Sequence, residues 1–323
     1  MDYQLLISNL TNPVLLFFAL GIIASVIKSD LEIPASSVKF ISLYLLFSIG
    51  FKGGQELQHS EMGYQIFYAV FLAIFISALI PLYTFFILKR KLTTSSAGAV
   101  AASYGSVSAV TFVAAASFLE MQSIHFGGHM IAIMALMEFP AIIVAVILMK
   151  KFNGHSGETI EPVSLWTSFR HSISNSSVLM IMGSLIIGII ADTKQAEGIK
   201  PFTTDIFKGF LAIFLLEMGM VVARRFKAFL EHGVFLLAFA TIIPLFNGCL
   251  VAFISGYFIE PVGDRFVFSV LAASASYIAV PAAMRFAAPK ADPGLYVPMA
   301  LGVTFPFNIT IGLPIYYAIS LNG

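Results

Sequence analysis

Three observations predict an all-α membrane protein of ten transmembrane helices, built as two inverted five-helix repeats with broken, crossing helices. First, the 323 residues are 59% hydrophobic and only 11% charged, against about 25% charged in a soluble chain. That leaves too little polar surface to coat a water-soluble globule. Second, apolar runs of spanning length recur from end to end. Third, the two halves of the chain echo each other. A net charge of +1 with no basic block argues against a nucleic-acid partner. One cysteine, Cys249, cannot form an internal disulfide. Asp2 and the lack of a cationic start argue against a cleaved leader.

Ten segments are expected, at approximately 12–28, 34–51, 64–88, 97–119, 127–150, 176–191, 202–223, 232–259, 266–288 and 296–321. Eight are rich in Leu, Ile and Phe, as lipid-facing or packing helices should be. Segments four and nine differ. Ala101-Ala102-Ser103-Tyr104-Gly105-Ser106-Val107-Ser108 and Ala272-Ala273-Ser274-Ala275-Ser276-Tyr277-Ile278-Ala279-Val280-Pro281 are small, hydroxyl-rich and interrupted by Gly or Pro. With the N-terminus outside, thirteen Lys and Arg residues fall on the cytoplasmic side and five on the outer side. This positive-inside bias supports an even number of spans with both termini outside.

One long hydrophilic stretch, 152–175, separates a first repeat over 1–151 from a second over 176–323. Ala101-Ala102-Ser103 matches Ala272-Ala273-Ser274, Glu138-Phe139-Pro140 matches Thr304-Phe305-Pro306, and Ile49-Gly50 matches Met218-Gly219, at offsets of 171, 166 and 169. Five helices per half is odd, so the halves insert in opposite senses. Inverted repeats are a common architecture of secondary transporters.

A helix interrupted in hydrocarbon survives only where something satisfies its freed backbone groups. Half-helices starting near Ser108 and Pro281 present amides and positive dipole ends, and Pro suits a first helical turn. Two such ends meeting mid-bilayer form an anion site without Lys or Arg. Ser106, Ser108, Thr111, Ser274 and Ser276 add hydroxyls. The plainer account of the same residues is close helix packing.

Intramembrane carboxylates are costly and functional by default. Glu138 precedes Pro140, which frees the Leu136 carbonyl, so an oxygen cage for sodium is expected from Glu138, Thr304, Asn308 and Ser103 beside the first break. Glu217 either lines the pathway, with Thr111, or pairs with Lys208 or a helix dipole. Lys52 is expected to snorkel, and His125 and His129 to be solvated surface residues.

Gly105-Ser106-Val107-Ser108, Met137-Glu138-Phe139-Pro140-Ala141, Leu216-Glu217-Met218-Gly219, Ile278-Ala279-Val280-Pro281-Ala282-Ala283-Met284-Arg285 and Thr304-Phe305-Pro306-Phe307-Asn308 together resemble the SbtA-type sodium-dependent bicarbonate transporters of bacteria. The resemblance implies sodium-coupled import of bicarbonate across the inner membrane, a homotrimer, an elevator motion, and a PII-like regulatory partner on the cytoplasmic face. It places the anion at Gly105, Ser106, Val107 and Ser108 and at Ser274, Ala275, Ser276, Ile278 and Ala279, with sodium as the co-transported ion. Two departures are Ala109-Val110-Thr111, where the family pattern has Gly-Ser-Thr, and Glu138, where Asp is common. The alternative is a sodium-coupled symporter of another small anion. An enzyme is not expected, because no His-Glu-x-x-His or Gly-x-Gly-Asp motif occurs.

Overall fold

In hydrocarbon every backbone amide and carbonyl must be paired within the protein, which leaves helices and closed barrels as spanning structures. The computed structural model describes residues 13–59, 64–152, 176–230, 233–277, 280–281, 283–284, 288 and 290–322, and among them no strand occurs. The first half contains α1 (Pro13–Val26), α2 (Ala35–His59), α3 (Tyr64–Leu88), α4 (Thr94–Gly105), α5 (Ala109–Met121) and α6 (His129–Phe152). The second contains α7 (Ser176–Ile190), α8 (Thr193–Lys200), α9 (Phe207–Leu230), α10 (Val234–Ser255), α11 (Val262–Ala273) and α12 (Pro293–Asn322). Seven stretches are long and apolar enough to cross a membrane, among them α4 with α5 taken together, and α1 and α7 hold shorter apolar runs. This is a multi-pass membrane protein. Residues 1–12 and most of the expected 152–175 loop lie outside the described residues.

The helix ends follow local chemistry. After α1, Lys28 takes a left-handed φ of 57°. The Ser29 and Lys28 amides then donate back to the Ala24 and Ser25 carbonyls, closing the helix as a Schellman turn. Ser123, with φ of 55°, ends α5 the same way. Prolines shape α12. Pro306 and Pro314 cannot donate within the helix, and the chain widens into π-helical turns over Met299–Thr304 and Asn308–Gly312.

The halves pack by exchange. α2 lies along α7, and α1 lies along α9. Both contacts are made by backbone meeting backbone. A methyl on Gly50 would strike Ser184, one on Gly188 the Phe51 carbonyl, one on Gly21 the Leu216 carbonyl, and one on Gly219 the Phe18 carbonyl. Small residues of this kind let membrane helices approach closely. A second body forms from α3 packed on α4 and α6, and from α10 packed on α11 and α12. The broken segments sit in this second body, nearly all of their described residues buried.

Candidate functional site

Both expected breaks are present. α4 ends at Gly105 with Ser106 as its cap (φ −83°, ψ 175°), and α11 ends at Ala273 with Ser274 as its cap (φ −83°, ψ 167°). The two caps share one backbone conformation and stand 168 residues apart. By backbone conformation Ser106 is the counterpart of Ser274, whereas the Ala-Ala-Ser match pairs Ser103 with Ser274. Past the first break Ser108 caps α5, accepting the Thr111 amide at 3.2 Å. Past the second, Val280, Pro281, Ala283 and Met284 are helical. Ile278 and Ala279 lie outside the described residues.

The breaks touch each other. The Ser276 amide donates to the Ser103 carbonyl at 2.8 Å, and the Ser103 hydroxyl returns a bond to the Ser276 carbonyl. The Ser108 amide donates to Ser274 Oγ at 2.9 Å, and that hydroxyl donates to the Leu271 carbonyl at 2.8 Å. Gly105, Ser106, Val107, Ser108, Ser274, Ala275 and Ser276 are all buried at this crossing. Ser103 is therefore spent on joining the breaks.

A helix leaves its first four amides without intrahelical acceptors. In α5 the Ser108 amide is taken by Ser274 and the Thr111 amide by Ser108. Those of Ala109 and Val110 have no acceptor within the helix. Ser106 stands beside them at 1% exposure, its hydroxyl without a hydrogen-bond partner. Three neutral donors and a positive dipole end suit a small anion.

Glu138 lies next to this break. A methyl on Gly105 would come within 3.0 Å of Ala141 Cβ, and Ala141 is three residues beyond Glu138, on the same face of α6. Glu138 is 8% exposed and one of its carboxylate oxygens has no partner. The adjoining Met137 carbonyl accepts a bond from Ser77 of α3.

Thr304 and Asn308 are close to the crossing but already engaged. Pro244 frees the Ala240 carbonyl in α10, and Thr304 Oγ1 donates to it at 2.7 Å. That hydroxyl has no second proton, so Tyr104 donates to it at 2.8 Å. Asn308 Nδ2 donates to the last carbonyl of α11, at Ala273 (2.7 Å), while its Oδ1 accepts from Tyr316 at 3.0 Å. These groups brace the second break. The hydrogen bonds do not join Glu138 to Thr304 or Asn308.

Other expectations are corrected. Lys208 pairs with Glu120 at 3.5 Å rather than with Glu217. Nine residues separate Lys208 from Glu217 on α9, about 13 Å along the axis, so the two cannot meet. Glu217 is buried with one oxygen unpartnered. His129 is not a solvated surface residue. Its Nε2 lies 3.3 Å from Asp264, which also accepts the Gly127 amide at 2.6 Å and so ties the α5–α6 loop to the start of α11. Lys52 lies over the Phe207 ring and lines a cavity of about 350 Å³ with Glu56, Ser117, Glu120, His125 and Lys200. That cavity runs beside the far end of α5, away from the break.

Residues missed from the sequence include Tyr104, Tyr316 and Ser77. No sequence signal marked them: Ser77 and Tyr316 meet the Met137 and Pro244 carbonyls, which no proline frees, and Tyr104 meets the Thr304 hydroxyl.

A broken-helix crossing with amide donors and an unpaired buried acid defines a membrane transporter of small ions. Residues 13–321 match the Na+-dependent bicarbonate transporter superfamily, and the chain belongs to that family. No curated protein matches it in sequence.

Proposed function

We propose that the protein imports bicarbonate with sodium across a bacterial inner membrane, through ten spans arranged as two inverted repeats with both termini outside. The observation that carries this reading is the donor set left over at the first break. The Ala109 and Val110 amides open α5 and have no acceptor within the helix, the Ser106 hydroxyl has no partner, and Glu138 offers a spare oxygen on the adjoining helix face. The anion takes the amides and hydroxyl, and sodium takes Glu138.

Neither ion is stable alone in low dielectric, because an unpaired buried charge costs several kcal/mol. The loaded state needs both, and this is the coupling. A one-to-one ratio is electroneutral. A second sodium adds about 2.3 kcal/mol of drive per 100 mV.

The exchanged pairing of α1 with α9 and of α2 with α7 supports the inverted repeat, since a two-fold relation turns one contact into the other. The same pairing supports a scaffold of these four helices. The body of α3–α6 and α10–α12 would carry the ions past it as an elevator. The family also supports a homotrimer on that scaffold and a PII-like regulator at the cytoplasmic face.

The test is uptake of labelled bicarbonate into proteoliposomes. Glu138→Gln is expected to raise the sodium concentration for half-maximal uptake at least about tenfold, the loss of one charge-assisted contact of 1.5–3 kcal/mol. Wild-type uptake that persists unchanged without sodium overturns the proposal. Stronger competition by a small carboxylate than by unlabelled bicarbonate assigns the site to that anion instead.

A further inference from the structure

The transport reading leaves one charged surface unused. The C-terminal ends of α3 and α6 lie side by side, stapled by Phe152 against Phe86 (ring centroids 5.4 Å) and Phe85 (5.9 Å). Lys89 Nζ stands 4.0 Å from the Phe152 ring centroid, a cation–π distance that fixes the ammonium at the seam. The staple gathers Lys89, Arg90 and Lys91 from one helix end with Lys150 and Lys151 from the other. All but Lys89 are exposed, and Lys89 is half-buried.

Lys150 is already engaged; for Lys89, Arg90, Lys91 and Lys151 neither helix supplies a carboxylate. α3 carries no acid, and the one acid of α6, Glu138, is twelve residues before Lys150, about 18 Å along the axis. A helix C-terminus favours a cation or two in its last turn, and cytoplasmic loops collect Lys and Arg to set orientation. Neither effect requires Lys89, Arg90, Lys91 and Lys151, four cations from two segments some sixty residues apart, to converge on one aromatic staple. On the membrane side of the cations, one and two turns back along α3, Phe86 and Leu82 are each 43% exposed. The arrangement is cationic at the end of the spans and apolar below.

We propose that the adjoining ends of α3 and α6 bind an anionic phospholipid. The phosphate rests among Lys89, Arg90, Lys91 and Lys151, and an acyl chain lies along Phe86 and Leu82. An acidic protein segment would match the charges alone, whereas one lipid molecule reaches both the cationic end and the apolar surface directly below it. The lipid uses both. Binding here holds α3 and α6 together on the flank opposite the break they support.

Native mass spectrometry of the full chain in neutral detergent tests the site, with phosphatidylglycerol and phosphatidylcholine of matched acyl chains as probes. The wild type should retain phosphatidylglycerol preferentially. Lys89→Gln/Arg90→Gln/Lys91→Gln/Lys151→Gln should lower that retention at least tenfold, since each cation near an anionic surface contributes about fivefold, and leave phosphatidylcholine unchanged. Excess inorganic phosphate should not displace the lipid. Lys28→Gln/Lys39→Gln/Lys194→Gln/Lys200→Gln removes as many charges elsewhere and should retain the lipid. Equal retention of both lipids, displacement by phosphate, or equal loss in the control variant overturns the proposal. If the quadruple variant fails to insert, Lys89→Gln/Phe86→Ser keeps four cations for topology and should still reduce retention severalfold. Unchanged retention in that variant also overturns it.

Discussion

The two breaks share a backbone and differ in what their hydroxyls do. At the second break Ser274 Oγ is saturated, donating to Leu271 and accepting from Ser108, and the Ala273 carbonyl is closed by Asn308. At the first, the corresponding Ser106 Oγ has no partner, and two α5 amides have no acceptor within the helix. The carbonyl that Ser106 would reach by analogy, Ser103, is taken by the Ser276 amide from across the crossing. One break therefore braces the other. Among the described residues, the open hydroxyl stands at the first break and the saturated one at the second.

Removing the brace should have the largest effect. Asn308→Ala leaves the Ala273 carbonyl without its donor in a buried setting, at about 1–3 kcal/mol, and leaves the Tyr316 hydroxyl only its 3.2 Å bond to the Pro244 carbonyl. The expected outcome is a clear drop in the apparent melting temperature of the purified protein, with little folded material left to assay. A variant of unaltered stability but shifted sodium dependence would instead make Asn308 an ion ligand, and the division between the breaks would fail.

Ser106→Ala tests the open side. A buried hydroxyl without a partner adds nothing to the empty protein, so thermal stability should stay within about 0.5 kcal/mol of the wild type. Uptake should lose about tenfold in apparent bicarbonate affinity, the worth of one hydrogen bond to a charged group, with the sodium dependence unmoved. A large stability loss with unchanged affinity would show that Ser106 is structural after all.

Much of this was legible in the sequence, for physical reasons. A small, hydroxyl-rich run inside a hydrocarbon-length segment needs an explanation, and both breaks fall in such runs. Glu138 stood out because an intramembrane carboxylate is expensive. The Ala-Ala-Ser match does not pair the two helix caps, because Ala-Ala-Ser packs inside α4 but ends α11. The same three letters serve close approach in one half and capping in the other. The roles of Thr304 and Asn308 were also hidden. Their acceptors, the Ala240 and Ala273 carbonyls, belong to helices 64 and 35 residues away. Only the fold says which freed carbonyl each one answers. Lys208 found Glu120, in the other half of the chain, for the same reason.

The smallest effect is expected at Ser276, and it bears most directly on the asymmetry. Its backbone makes the crossing bonds with Ser103, and those survive side-chain truncation. Among the described residues its hydroxyl accepts a long bond, 3.4 Å from the Val280 amide, weaker than an ordinary N-terminal cap at about 1 kcal/mol. Ser276→Ala should therefore cost about 0.5 kcal/mol and change bicarbonate affinity less than about threefold, well short of the Ser106→Ala loss. The measurement is a side-by-side titration of uptake against bicarbonate at saturating sodium for the two variants. If Ser276→Ala matches Ser106→Ala in affinity at unchanged stability, the second break donates to the anion as well. The site is then two-sided, as the sequence alone would have it.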